Sequence, residues 1–170
     1  GGFGTICGSL NGAAALIGLI VPDKSVQDVL ITGLLRWYEG ARLPEYRPKK
    51  AIFDFTPPSS APESTLCHAS ITNWAKDSGY KPNSDERKER CRRLTSDVAA
   101  RITTVLNEYN GNTYVTAGHD SASVKQCMTC HGDSGKLANT SGKMSCTSCH
   151  TESIPHKVFS DIHYKTMKLR

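Results

Sequence analysis

The chain has 170 residues, 38% of them hydrophobic and 7% aromatic, long enough for one domain plus a small module but thin in large apolar groups for a self-sufficient core. Twenty-one Lys and Arg against 16 Asp and Glu give a formal charge of +5; the basic residues are scattered, so the balance does not point to nucleic acid. The longest apolar stretch, Ala13 to Val21, is too short to span a bilayer and lacks the charged flank of a signal peptide.

The chain opens on Gly1-Gly2-Phe3 without Met, which leads us to expect a processed or truncated start. Thr5 to Val21 reads as a helix ended by Pro22, with Gly8, Gly12 and Gly18 among its small residues. Glycine costs a helix about 1 kcal/mol against alanine, so their number suggests very close packing of helices or cofactor. Ser25 to Tyr38 is a second helix, capped by Ser25, with Val26, Val29, Leu30, Leu34 and Trp37 at helical spacing. Residues 44–62 hold five of the eight prolines and read as an irregular surface connector. A third helix opens at Pro62-Glu63-Ser64 and runs to about Ser78. After a turn over 79–83, Ser84 caps a longer helix with a stripe of Leu94, Val98, Ile102, Val105 and Tyr109. Its charge run Arg87-Lys88-Glu89-Arg90-Cys91-Arg92-Arg93 reads as a solvated face.

Asn110-Gly111-Asn112 breaks that helix, and residues 111–153 are rich in Gly, Ser, Thr and Lys. Such a segment cannot build a core unless something else supplies apolar surface. Pro155 starts a last helix with Val158, Phe159, Ile162 and His163 on one side. No strand pattern is evident. The expected fold is mostly α, with a helical module over 1–110 and an irregular, loop-rich segment over 111–170.

That segment contains Cys127-Met128-Thr129-Cys130-His131 and Cys146-Thr147-Ser148-Cys149-His150. In Cys-x-x-Cys-His two thiols add to the two vinyl groups of a porphyrin, and the His takes one axial position on iron. Two copies 19 residues apart make chance a poor explanation. A four-cysteine zinc ribbon also fits the spacing, but it leaves the histidine after each pair unexplained. The reading is therefore two haem c groups, with His131 and His150 as proximal ligands. Sixth ligands of His type suit electron transfer. His119, eight residues before the first motif, and His156, six after His150, are the expected distal ligands. His163 lies one heptad beyond His156, about 10 Å along the same face, and is the alternative or serves a partner chain. His68 reads as structural. Bis-His ligation leaves no open site, and covalent haem places the chain in the periplasm. Two other readings stay open: a small haem reductase with one open axial position, and a structural subunit of a cytochrome assembly. The protein is thus more a carrier than an enzyme.

Cys7, Cys67 and Cys91 remain. They read either as small buried hydrophobes or as thiolates converging on an iron–sulfur cluster, which usually takes four protein ligands. Gly1-Gly2-Phe3-Gly4 followed by Cys7-Gly8-Ser9-Leu10-Asn11-Gly12-Ala13, with Cys67 and Cys91 further on, resembles the redox-active proteins with a C…GC-A-x-x-G…C…C pattern. Joined to two CxxCH motifs, this module is similar to the split-Soret cytochromes c of sulfate-reducing bacteria. The resemblance covers nearly the whole chain. It implies a periplasmic homodimer with redox partner proteins, no membrane span and two closely spaced bis-His haems. It also implies a 2Fe–2S cluster or non-haem iron on Cys7, Cys67 and Cys91. The family's first cysteine lies upstream of the Gly-rich entry, so the cluster here is expected to be absent, degraded, or completed by a non-cysteine ligand, for which His68 is the nearest candidate.

Overall fold

Apolar residues spaced three and four apart on three helices find one another and make the core. The computed structural model describes residues 4–115 and 122–146. Among them are α1 (Gly8–Ile20), α2 (Lys24–Gly40), α3 (Cys67–Ser78), α4 (Asp85–Asn110) and α5 (Ala122–His131). Only two isolated bridges, Ile6 with Leu66 and Leu43 with Ser60, are extended pairings among the described residues. The fold is mostly α. The chain divides into two compact units, 1–119 and 120–170.

In the first unit, Leu10, Ala13 and Ile17 of α1 meet Leu30, Leu34 and Tyr38 of α2 and Leu94, Val98, Ile102 and Val105 of α4. Each fully buried Leu or Ile contributes about 1.5–3 kcal/mol over an exposed one, so the stripes themselves dictate the three-helix arrangement. Tyr109 and Tyr114 pack partly buried against its edge.

The helix starts differ from expectation for local reasons. Asp23, not Ser25, caps α2, because its carboxylate accepts from Ser25 N at 2.7 Å and Val26 N at 3.3 Å. Ser84 caps α4 as expected, accepting from Arg87 N at 3.3 Å. The third helix begins at Cys67 rather than near Pro62. Glu63 adopts the left-handed conformation (φ 57°), and the next residues pair with the segment before α1: Cys7 N donates to Thr65 O and Cys67 N to Thr5 O, both at 2.9 Å. Gly79 closes α3 at φ 76°, the conformation glycine takes without cost. The glycines of α1 do not mark close packing among the described residues: a Cβ built on Gly8, Gly12 or Gly18 meets nothing within 4 Å there.

The proline-rich connector is tied down along its length. Trp74, fully buried, donates its indole N–H to Pro58 O at 2.9 Å. Asp97 accepts from Glu45 N and Tyr46 N, and Ser59 Oγ donates to Pro44 O. The charge run on α4 is not a solvated face. Lys88 and Arg92 are half-exposed, but Glu89, Arg90 and Arg93 are buried, because each meets a polar partner inside. Among the described residues no helix is long and apolar enough to cross a membrane.

Candidate functional site

The bridge between Ile6 and Leu66 sets the starts of α1 and α3 side by side. Cys7 is the residue before α1 and Cys67 the first of α3, so both thiols stand at helix N-termini, where the helix dipole favours negative charge. Cys91 joins them from the second turn of α4. All three line one cavity of about 260 Å³, with Ser9, Tyr38, Ser70, Arg87, Arg90 and Leu94 also in its wall. The cysteines are partly exposed and not disulfide-bonded. His68 is exposed and is not part of this wall. The expectation that it completes the site is therefore corrected: as the second residue of α3 it is solvent-exposed and does not line the cavity.

Burial, then the negative charges of Cys7 and Cys91, push the Cys67 thiol above its ordinary value, against the pull of Arg87 and Arg90. A bound cation would oppose that shift and favour the Cys67 thiolate. Among the described residues no three His, Cys, Asp or Glu groups are placed to hold a single metal ion. What the three thiols share is the wall of one cavity.

A polar network backs the cavity. Tyr38 Oη and Ser70 Oγ are 3.1 Å apart, and Arg90 Nη2 donates to Ser70 Oγ at 2.9 Å. Burial first, then Cys7, hold the Tyr38 phenol above its ordinary range, so it stays a neutral hydrogen-bonding group. Tyr38, Ser70 and Arg90 escape a reading of the sequence. The one available signal is Tyr38 itself, a hydroxyl ending the buried stripe Leu30, Leu34 and so in need of a partner.

In the second unit, α5 carries the first CxxCH motif. Cys127 and Cys130, three residues apart, share a helix face, and Cys130 is exposed. His131 ends the helix, and its Nδ1 lies 2.9 Å from Asn139 Oδ1. The chain turns back at once: Leu137 N donates to Cys130 O, and Asn139 N and Thr140 N to His131 O. Gly135 permits this, because a Cβ there would sit 2.5 Å from the Cys130 carbonyl carbon and oxygen. Burial, then the neighbouring Cys127, push the Cys146 thiol upward, and its Sγ donates to Met144 O at 3.7 Å. Val124 is the one buried large hydrophobic among the described residues of this unit. Cys149, His150, His119, His156 and His163 lie outside the described residues.

A family model described as "Putative redox-active protein (C_GCAxxG_C_C)" matches residues 1–105. Split-Soret cytochrome c of Desulfovibrio desulfuricans (strain ATCC 27774) is 38% identical over 154 residues, 88% of this chain and 55% of that protein. The chain thus spans about half the length of the curated relative it matches. A solved structure, described as a novel iron centre in the split-Soret cytochrome c of the same organism, superposes with a TM-score of 0.79 at 33% identity, over 89% of this chain and 65% of that one.

Proposed function

Because this chain belongs to the redox-active C_GCAxxG_C_C family and is a homologue of split-Soret cytochrome c, we propose that it is a periplasmic dihaem c-type cytochrome that transfers electrons, with an iron–sulfur centre on its helical module. The observation that carries the reading is the first CxxCH motif on α5, with two thiols on one helix face and a histidine whose ring is held through Nδ1. Haem and the iron–sulfur centre would each supply one-electron exchange at iron.

Cys127 and Cys130 would hold one porphyrin and Cys146 and Cys149 the other. Asn139 fixes the His131 ring through Nδ1, which leaves Nε2 as the ligating nitrogen, and such a partner also raises ligand basicity. His150 would do the same for the second haem, with His119 and His156 as distal ligands and His163 as the alternative to His156. The scarcity of large buried side chains in the described part of this unit suits an interior that macrocycles fill.

Cys7, Cys67 and Cys91 fit an iron–sulfur centre on three grounds. They share a cavity, two of them stand at helix N-termini, and the buried Arg90 beside them has an Nε without a hydrogen-bond partner. The wall offers only hydroxyl groups (Ser9, Tyr38, Ser70, Thr95) besides the three thiols as non-cationic polar side chains. A homodimer fits α1, which exposes Leu16, Leu19 and Ile20 beside its open glycines, an apolar surface a second copy would cover.

Carbon monoxide tests the carrier reading. Ferrous protein with two histidines on each iron keeps its optical spectrum under the gas. Near-stoichiometric binding by the native protein contradicts bis-His ligation and favours an open axial position. Sedimentation across a dilution series tests the dimer.

A further inference from the structure

We propose that Arg90 is the built-in counter-cation of the three-cysteine cavity, so that the cavity selects a group of net negative charge. The inference rests on reading those cysteines as the seat of an iron–sulfur centre. Arg90 is 2% exposed and lines the cavity with the three thiols. A buried cation needs an anion, and among the described residues none is paired with Arg90. The adjacent buried carboxylate, Glu89, is already engaged by Arg93 Nε at 2.8 Å and Arg92 Nη1 at 3.3 Å. Arg90 Nη2 reaches a neutral hydroxyl, Ser70 Oγ, and its Nε has no partner among the described residues. Tyr38, the other polar group behind it, offers a hydroxyl and no carboxylate. The second cation of the wall, Arg87, is partly exposed and donates its Nε to Pro82 O.

The missing negative charge must therefore come from the cavity. Three thiolates on a two-iron, two-sulfide core supply it. That assembly is anionic when oxidised and gains one further negative charge when an external reductant, dithionite in the assay, gives it one electron. A cation held beside it favours the reduced form. Ser70 acts through Arg90 by fixing its guanidinium against the cavity wall.

The test begins on the full haem-bearing chain stripped of non-haem iron, so that thioether bonds block the four motif cysteines. Cys7, Cys67 and Cys91 are alkylated with iodoacetate or iodoacetamide and read by mass spectrometry. The ratio of the anionic to the neutral reagent reports local positive charge and cancels the thiolate fraction. R90Q lowers the ratio at these cysteines by roughly fivefold, the effect of a unit charge a few ångströms away in a medium between protein and water. R90K restores it, and R87Q lowers it less. An R90Q ratio equal to wild type overturns the proposal. Should R90Q not fold, R87Q decides: the excess of the folded over the urea-unfolded ratio persists if Arg90 carries the charge and vanishes if Arg87 does.

The second arm uses protein reconstituted with iron and sulfide. R90Q shifts the reduction equilibrium against the reduced form at least tenfold, about 59 mV for a one-electron couple, R90K does not, and S70A moves it in the same direction as R90Q. An unchanged potential in loaded R90Q contradicts the role. If wild type takes up no iron beyond haem, the cluster reading fails, and the alkylation ratio still judges Arg90.

Discussion

Replacing Glu89 by Ala probes the buried charges of α4. Glu89 is 3% exposed and Arg93 4%; Arg93 donates its Nε to Glu89 Oε1 at 2.8 Å and its Nη2 to Phe55 O at 2.6 Å. Alanine leaves Arg93 with only the carbonyl, a buried guanidinium without its anion, which costs about 3–5 kcal/mol. The exposed partner gives the contrast: the Arg92 side chain is 51% exposed, so R92Q costs at most about 1 kcal/mol. Urea unfolding followed by tryptophan fluorescence reads both, because Trp74 is buried and stacked on Tyr80. The pH dependence has a definite sign. The hydrogen bond from Arg93 holds the Glu89 carboxyl below its ordinary 4.5. Its contribution is therefore fully present above about pH 4.5 and is lost as pH falls through the lowered native value. In E89A that part of the acid limb disappears. An E89A cost below about 1 kcal/mol, or an acid limb identical to wild type, refutes the claim that this pair is a buried stabilising contact.

W74F removes the indole N–H that donates to Pro58 O and so the tie between α3 and the connector. It lowers stability by about 0.5–1.5 kcal/mol, read by thermal unfolding, and raises protease cleavage within residues 44–62. G135A drives a Cβ into the Cys130 backbone at 2.5 Å, strain of about 1–3 kcal/mol; haem attached per chain, read by mass spectrometry, falls at the first motif. L34A empties a fully buried site between α1 and α4 and costs about 2–5 kcal/mol in urea unfolding, whereas L19A, at an 85% exposed position, leaves monomer stability unchanged and weakens the dimer in sedimentation.

Periodic patterning revealed α1, α2 and α4, because Leu30, Leu34 and Tyr38, or Leu94, Val98, Ile102 and Val105, meet the core at the spacing a helix imposes. The CxxCH motifs and the three further cysteines were legible because the residue type carries the chemistry. What escaped depends on partners distant in the chain. The start of α3 is set by the pairing of Cys67 and Thr65 with Thr5 and Cys7, some sixty residues earlier, which no local window contains. Arg90 and Arg93 look like surface charges beside Lys88 and Arg92. They are buried because Ser70 and Phe55 O, 20 and 38 residues away, receive their donors. The helix Ala122–His131 hides in a Gly- and Ser-rich composition whose helix-forming run is short. The α1 glycines suggested contacts that the described residues do not supply.

Total iron measured against haem, on wild type and on the chain with Cys7, Cys67 and Cys91 all replaced by Ser, tests the account most directly. It predicts two haems per chain from the two motifs and iron in excess of haem in wild type, with the excess lost in the triple variant while haem stays. Iron equal to haem in wild-type protein isolated without chelator and reconstituted with iron and sulfide contradicts it.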